Sequence, residues 1–499
     1  MNRLGQVGLV AGAACLVVVT TVVSVNMPLV AAGVVLLLLL LALCRRVDGW
    51  RWLLALTMAL LVCASSDIPA LVEISFYPRY AAVAGLIVWG LCLPAPTPAR
   101  TAPWSRVFIG ALWTVAALAT LSTTWSVVPS ETFQRGVALL LLAALVHVVV
   151  RRRWSDRKTM LADLRMVYLV LSLSTVSSLV LGLGNGTVAA ALSSSHRFQG
   201  LYNNPNMLGI VCALTIPLGW AVYRQYRRWP MLLGTAPAAA GLLLSQSRTG
   251  LVAVLVGAAW IMLRHGVAPL LRMASAATAA LLLAYLLDLL PVIFRAPWMQ
   301  RMVLRFTDPE GADLSNGRTQ MWQATVDLWW QNRPTLGFGY ASRNHLLELA
   351  GYDEFFGAGV SVVHNSYLQL LLELGLTAAI PLVLLLLAAG RVALRVPVHG
   401  ANSGLVWLVV SGLLIQLTES AMFGTGQTYP YVFWFAVAAL LHLPAADGPE
   451  RGGEADADAS RQANAPANGV PSGPMSGPVG RGHDRSPVTN VLTRARQAR

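Results

Sequence analysis

The sequence predicts an all-α, polytopic integral membrane protein of about 12–14 transmembrane helices with one large extracytoplasmic loop. Three observations carry that prediction. Hydrophobic residues make up 56% of the 499-residue chain and charged residues only 12%, against roughly 25% charged in a soluble domain. Apolar runs of about 17–25 residues recur along the chain, long enough to cross a hydrocarbon core about 30 Å thick. Finally, most basic residues sit in the short loops between those runs, on alternate sides, as topology determinants do.

The runs are, in order, about 7–25, 28–44, 51–66, 80–95, 106–124, 135–150, 166–184, 206–223, 230–246, 249–264, 272–293, 366–390, 403–421 and 430–445. The first lacks a clear small-residue cleavage site and another run follows at once, so it reads as a span rather than a cleaved signal peptide. With the N-terminus in the cytoplasm, Arg45, Arg46, Arg51, Arg100, Arg106, Arg151, Arg152, Arg153, Arg157, Lys158 and Arg165 all fall inside. So do Arg224, Arg227, Arg228, Arg264, Arg272, Arg391 and Arg395.

Residues 1–445 then form the transmembrane domain, and 294–364 its extracytoplasmic loop. Within that loop, Arg318 to Asn332 carries Trp322, Trp329 and Trp330. This predicts an amphipathic helix with a Trp face at the membrane interface. Pro334 ends it, and Gly337-Phe-Gly-Tyr340 predicts a turn. The tail from about 446 to 499, rich in Gly, Pro, Ala, Ser and Asp, is expected to be disordered and cytoplasmic, with a basic end.

Charge and cysteine content exclude some functions. The net charge of +14 is spread over inter-helix loops, with no basic domain of interleaved aromatics, so nucleic acid is not an expected partner. Membrane lipids are. Cys15, Cys44, Cys63, Cys92 and Cys212 lie in or beside apolar runs without short spacings. They read as packing residues rather than a zinc site or a disulfide framework. No outer-face Asp-x-Asp pair or Glu-x-x-His helix presents itself, and neither a metal nor a cofactor is expected.

Several arginines break the sidedness rule: Arg79, Arg135, Arg197 and Arg248, with Arg301, Arg305, Arg318, Arg333 and Arg343 of the large loop. A guanidinium beside a bilayer on the outer side usually needs an anionic partner. Four outward segments stand out. In His196-Arg197-Phe-Gln-Gly200 followed by Asn203-Asn204-Pro205-Asn206, helix capping accounts for the asparagines but not for Arg197. Ser245-Gln-Ser-Arg248-Thr-Gly250 is a tight polar break in which a turn needs Ser and Gly, not Arg; snorkelling to headgroups is the bland alternative for Arg248. Asn316-Gly-Arg318-Thr-Gln-Met-Trp322 leads into the Gly337–Tyr340 turn. His364-Asn365-Ser-Tyr367-Leu368 opens a run that continues through Glu373-Leu-Gly375. A lone His there, like His196 and His345, is more often a cap neighbour than a catalyst.

Taken together, the four segments resemble the O-antigen ligase and polymerase superfamily, over roughly Arg197 to Leu376. Its members carry an Arg and Asn-Pro-Asn before one span and a Ser-Arg break between two. They also carry an Arg-x-x-x-Trp element with a Gly-x-Gly turn in the periplasmic loop, and a His-Asn-x-x-Leu opening with a following Glu-x-Gly. The N-terminal half carries no matching motif. The resemblance implies a membrane enzyme that takes a glycan from a polyprenyl (undecaprenyl) diphosphate carrier to an acceptor hydroxyl. Transfer would occur at the outer face of the bacterial inner membrane, without metal and with inversion.

On that reading Arg197 and Arg248 hold the diphosphate through charge-assisted bonds. They also stabilise charge developing on the leaving group. Arg318 is a third cation, and His364 is the base or acceptor positioner. Asn206, Tyr340 and Asn365 are substrate-binding or orienting candidates. A ligase acting on a glycan, lipid or protein acceptor and a polymerase acting on a second lipid-linked repeat remain equally open. A transporter fits less well, because Asp288 and Glu419 lie near outer span ends and the halves show no repeat. A metal-dependent glycosyltransferase with a large soluble domain lacks paired outer carboxylates, Asp67 and Glu73 being the nearest.

Overall fold

The computed structural model describes residues 49–94, 102–193, 196–297, 299–300, 318–349 and 363–442. The first two expected spans, the tail, and the loop stretches 301–317 and 350–362 lie outside the described residues. Among the described residues the architecture is helical, with one isolated β-bridge, Ser66 to Tyr202.

The order begins α1 (Gly49–Cys63), α2 (Pro69–Phe76), α3 (Pro78–Cys92), α4 (Pro103–Leu121), α5 (Pro129–Val148), α6 (Arg157–Gly184) and α7 (Thr187–Ser193). It continues with α8 (Pro205–Tyr226), α9 (Thr235–Ser245), α10 (Arg248–Arg264), α11 (Val267–Leu286) and α12 (Leu289–Arg295). After these come α13 (Arg318–Asn332), α14 (Arg343–Leu349), α15 (Ser366–Leu374), α16 (Ala379–Arg395), α17 (Ala401–Thr418) and α18 (Thr428–His442). Among the described residues, 8 helical stretches are long and apolar enough to cross a membrane, and three shorter apolar helices join them. The polytopic all-α expectation therefore holds.

Boundaries follow local chemistry. Proline opens α2, α3, α4, α5 and α8, where its missing N–H costs nothing. Asp156 caps α6 by accepting from Thr159 N at 2.8 Å. These backbone and hydroxyl bonds from Thr159 hold its carboxyl below the usual range. The run expected from 166 in fact starts at Arg157, and the run expected from 80 is preceded by α2, which contains Glu73.

Small residues let the central helices approach. A Cβ on Gly404 of α17 would sit 2.3 Å from Ala221 N and 2.5 Å from Pro217 O of α8. Gly257 of α10 faces Trp407 and Ser411, and Gly412 faces Phe433 of α18. This is how membrane helices pack where hydrocarbon supplies no hydrophobic drive between them. α18 is buried almost throughout, whereas α11 exposes Leu281, Leu282, Leu283 and Leu286.

The large loop departs from expectation in one respect. Arg318–Asn332 is a helix, α13, but its tryptophans do not share a face. Trp329 is buried with Met321 and Thr325, while Trp330 is 61% exposed. Trp322 and Trp329 donate to Val363 O and Pro334 O, at 3.0 and 3.1 Å. Two of the three thus lock α13 onto protein.

After α13, residues 334–339 interlock with the break between α15 and α16. Leu376 N and Thr377 N donate to Pro334 O and Thr335 O, at 2.9 and 3.1 Å. Phe338 N and Gly339 N donate to Leu372 O and Glu373 O, at 3.1 and 2.8 Å. Three glycines with positive φ make this possible: Gly337 (67°), Gly339 (100°) and Gly375 (63°). A Cβ on Gly375 would meet Thr335 O at 2.3 Å. The Gly-x-Gly turn and the Glu373-Leu-Gly375 stretch are two halves of one joint.

Chain direction sorts the charges to two ends. α1 runs from Arg51 to residues that pair with Tyr202 and Asn203; α5 runs from Thr132, which donates to Tyr340 O, to Arg153. At the arginine-rich end, Asp163 of α6 accepts from Arg51 Nε (3.3 Å), Arg153 Nε (3.0 Å), Arg153 Nη2 (3.0 Å) and Trp154 Nε1 (3.2 Å). Its side chain is 2% exposed, against 31% for Arg51.

Two outcomes are expected from this arrangement. Asp163→Ala leaves the buried face of Arg153 uncompensated and should lower stability by on the order of 3 kcal/mol, whereas Arg51→Ala should cost under about 1 kcal/mol. Unfolding of both variants in detergent tests the contrast. Gly375→Ala forces a left-handed alanine against Thr335 and should cost roughly 1–3 kcal/mol; a melting temperature equal to that of the parent would contradict the joint.

Candidate active site

At the other end of the bundle lies a cavity of about 400 Å³. Its walls come from α3, α5, the start of α8, the turn after α13, His364 two residues ahead of α15, and the 419–427 segment linking α17 to α18. Loops and helix ends built on a rigid bundle are where sites usually form.

The α8 wall is set by its cap. Asn204 accepts from Asn206 N at 2.7 Å and Pro205 takes the first helical position, as the sequence predicts. That turns Asn206 inward. Its Oδ1 accepts from Arg197 Nη2, and its Nδ2 donates to Glu419 Oε1 at 3.1 Å. Arg197 Nε also donates to Ser245 O at 2.9 Å, which ties the α9–α10 break to the same spot. In that break Ser247 caps α10 by accepting from Gly250 N at 3.3 Å. Arg248 takes the first helical position, and Thr249 Oγ1 accepts from Thr418 at 2.9 Å.

Glu419 is the residue on which these groups converge. It is 7% exposed. Oε1 accepts from Arg318 Nη2 at 2.8 Å, while Arg318 Nη1 donates to Thr418 O at 2.6 Å. Oε2 lies 3.2 Å from His364 Nδ1. A carboxylate paired with arginine only accepts, so Nδ1 carries the proton of this bond and the neutral ring keeps Nε2 as an acceptor. His364 adopts φ 51°, a left-handed conformation uncommon outside glycine, and its side chain remains 28% exposed.

Of the residues expected from sequence, His364, Asn206 and Tyr340 line the cavity. Arg197 and Arg318 stand behind it, joined through Asn206 and Glu419, and Arg248 sits at the helix start beside them. Tyr340 is anchored: its hydroxyl donates to Phe423 O at 2.7 Å and its N to Ser122 Oγ at 2.9 Å. Burial, foremost, raises its phenol well above the ordinary range. Asn365 caps α15, accepting from Tyr367 N and Leu368 N at 3.0 Å and donating to Leu417 O at 3.1 Å; it does not line the cavity.

Four charged side chains at this cavity lie outside the motifs. Glu419 occurs in no segment singled out for chemistry. Arg79, Arg135 and Arg343 also line the walls; the only sequence signal for them was their position on the outer side. Arg135 pairs with Glu131 at 2.9 Å and Arg343 with Glu373 at 3.6 Å.

The arrangement offers an imidazole with an accepting nitrogen, held by a buried carboxylate and set among guanidiniums. Such a site can take a proton from a hydroxyl and stabilise negative charge nearby. No curated protein matches the chain. Residues 233–383, from the residues just before α9 into α16, match the family model described as O-Antigen ligase. That segment contains Arg248, Arg318, Tyr340, His364 and the joint around Gly375, and the match supports the resemblance to the O-antigen ligase and polymerase superfamily.

Proposed function

We propose that this protein transfers a glycan from a polyprenyl diphosphate carrier to an acceptor hydroxyl, as an O-antigen ligase. The observation that carries the reading is the His364–Glu419 pair on a cavity walled by arginines, within a membrane bundle that contains an O-antigen ligase domain. The acceptor oxygen attacks C1 of the donor sugar, its proton passes to His364 Nε2, and the C1–O bond breaks with its electron pair leaving on the diphosphate. A single displacement inverts the anomeric centre. Glu419 orients the imidazole and balances the positive charge it acquires.

Arg197, Arg248 and Arg318 are the proposed diphosphate ligands, with Asn206 fixing Arg197. Guanidiniums supply the charge that a metal supplies elsewhere, so the reaction runs without one. The site end faces the outside of the inner membrane, where a flipped carrier presents its diphosphate at headgroup level. Polymerisation onto a second lipid-linked repeat uses the same donor chemistry.

Transfer assays in reconstituted vesicles test this reading. His364→Ala and Glu419→Gln should lower kcat by roughly 10²–10⁴-fold with donor binding retained. Arg248→Lys should lose on the order of 10²-fold, because a point charge does not reproduce the planar two-donor contact. EDTA should leave the parent rate unchanged. Activity lost to EDTA and restored by Mg²⁺, or an active His364→Ala protein, would overturn the scheme.

Sidedness has its own test. A cysteine at exposed Asn332 in a cysteine-free background should react with an impermeant maleimide added outside intact cells. Labelling only after permeabilisation would place the site on the wrong face.

A further inference from the structure

The cavity holds more positive charge than the reaction above employs. Arg79 is the second residue of α3, within the hydrophobic stretch Pro69–Cys92, and is 7% exposed, yet it forms part of the cavity wall. Its guanidinium donates to Gly426 O at 3.3 Å and to Tyr80 Oη at 3.1 Å. The Phe76 and Tyr80 rings lie 4.9 and 4.7 Å from Cζ. No carboxylate pairs with it among the described residues.

A buried cation usually has a counter-charge, because desolvating it is costly and neutral partners compensate only in part. Arg135 and Arg343 line the same cavity, together with Tyr340. Their own partners compensate weakly: Arg135 shares an exposed pair with Glu131, and Glu373 stands 3.6 Å from Arg343. Among the described residues the one carboxylate lining the cavity, Glu419, is already engaged by Arg318, Asn206 and His364.

We infer that Arg79, with Arg135 and Arg343, forms an anion subsite distinct from the Glu419–His364 pair, taking a carboxylate or phosphate group borne by the substrate. Two of its three arginines, Arg79 and Arg135, lie outside the segment 233–383. A uronic acid of the glycan and the phosphate of the carrier share the required chemistry. The identification of the anion as part of a substrate rests on the transfer reading; the existence of the subsite does not.

The test is equilibrium binding to the full chain in nanodiscs. Glucuronate and inorganic pyrophosphate serve as probes and glucose as the neutral control, read as the anion-dependent rise in melting temperature. The parent protein should bind at least one anion, and Arg79→Gln should weaken it by about tenfold to a hundredfold. Arg135→Gln, at an exposed position, should weaken it in the same direction, and it carries the test if Arg79→Gln does not fold. Gly426→Ala sets a Cβ 3.3 Å from Cζ, Nη1 and Nη2 of Arg79 and should weaken the anion without removing charge. Loss confined to glucuronate assigns the subsite to an acidic sugar; loss confined to pyrophosphate assigns it to the carrier. No anion-dependent shift in the parent, or affinities within twofold of the parent in Arg79→Gln and Arg135→Gln, overturns the proposal. Failure of glycan transfer with these shifts intact would sink the transferase reading and leave the subsite standing.

Discussion

Glu419 joins parts of the chain that are far apart in sequence. One carboxylate oxygen accepts from Asn206 on α8 and from Arg318 on α13, and the other meets His364 ahead of α15. A carboxylate this buried is tolerated only with its lone pairs met by charged or well-aimed donors. Here the donors are the motif residues themselves. The same bonds select the Nδ1 tautomer of His364 and leave Nε2 toward the cavity.

Backbone geometry around this carboxylate is held in uncommon conformations. Three of the five non-glycine residues with positive φ among the described residues are Gln246, Ala341 and His364. They occupy the α9–α10 break, the turn after the interlocked joint, and the base position. Each such conformation costs of the order of 1–3 kcal/mol and persists only where its surroundings over-determine it. The surroundings here are specific. Gly339 is pressed against Ser126, Thr132 holds Tyr340 O, and the Tyr340 hydroxyl holds the 419–427 segment through Phe423. Helices of the N-terminal half thereby fix the position of a loop whose chemistry belongs to the C-terminal half.

The fold was largely legible in the sequence because hydropathy and arginine sidedness are local signals, summed over about 20 residues at a time. The cap at Asn204, the polar break at Ser245–Gly250 and the turns at Gly337 and Gly339 were legible for the same reason. Motif spacing also picked out the arginines that gather near Glu419. Glu419 itself was not legible, since a single acidic residue at a span end looks the same whether it faces water or anchors a network. Arg79 and Arg135 were visible as exceptions to sidedness, but nothing local says that a residue of α3 and one of α5 share a cavity with one before α15. The Trp face of α13 failed for a related reason. Periodicity reports which residues share a side, yet Trp329 and Trp330 are neighbours on different sides, and acceptors beyond the helix such as Pro334 O decide which one is buried.

The division of the cavity between the two halves has a physical consequence. The segment 233–383 contributes His364 and Arg318, whose geometry is fixed by Glu419. The helices before it contribute Arg79, Arg135 and the Asn203–Met207 wall, whose geometry has only to fit what the reacting groups carry. Coulomb interactions fall off only as the inverse of distance and reach across a cavity of this size without contact. A cation on the N-terminal wall therefore acts on the same bound molecule as His364 while contributing no atom to bond breaking. On the proposed transfer reaction, substitutions on that wall alter which glycan is held and leave the proton transfer between hydroxyl and imidazole untouched.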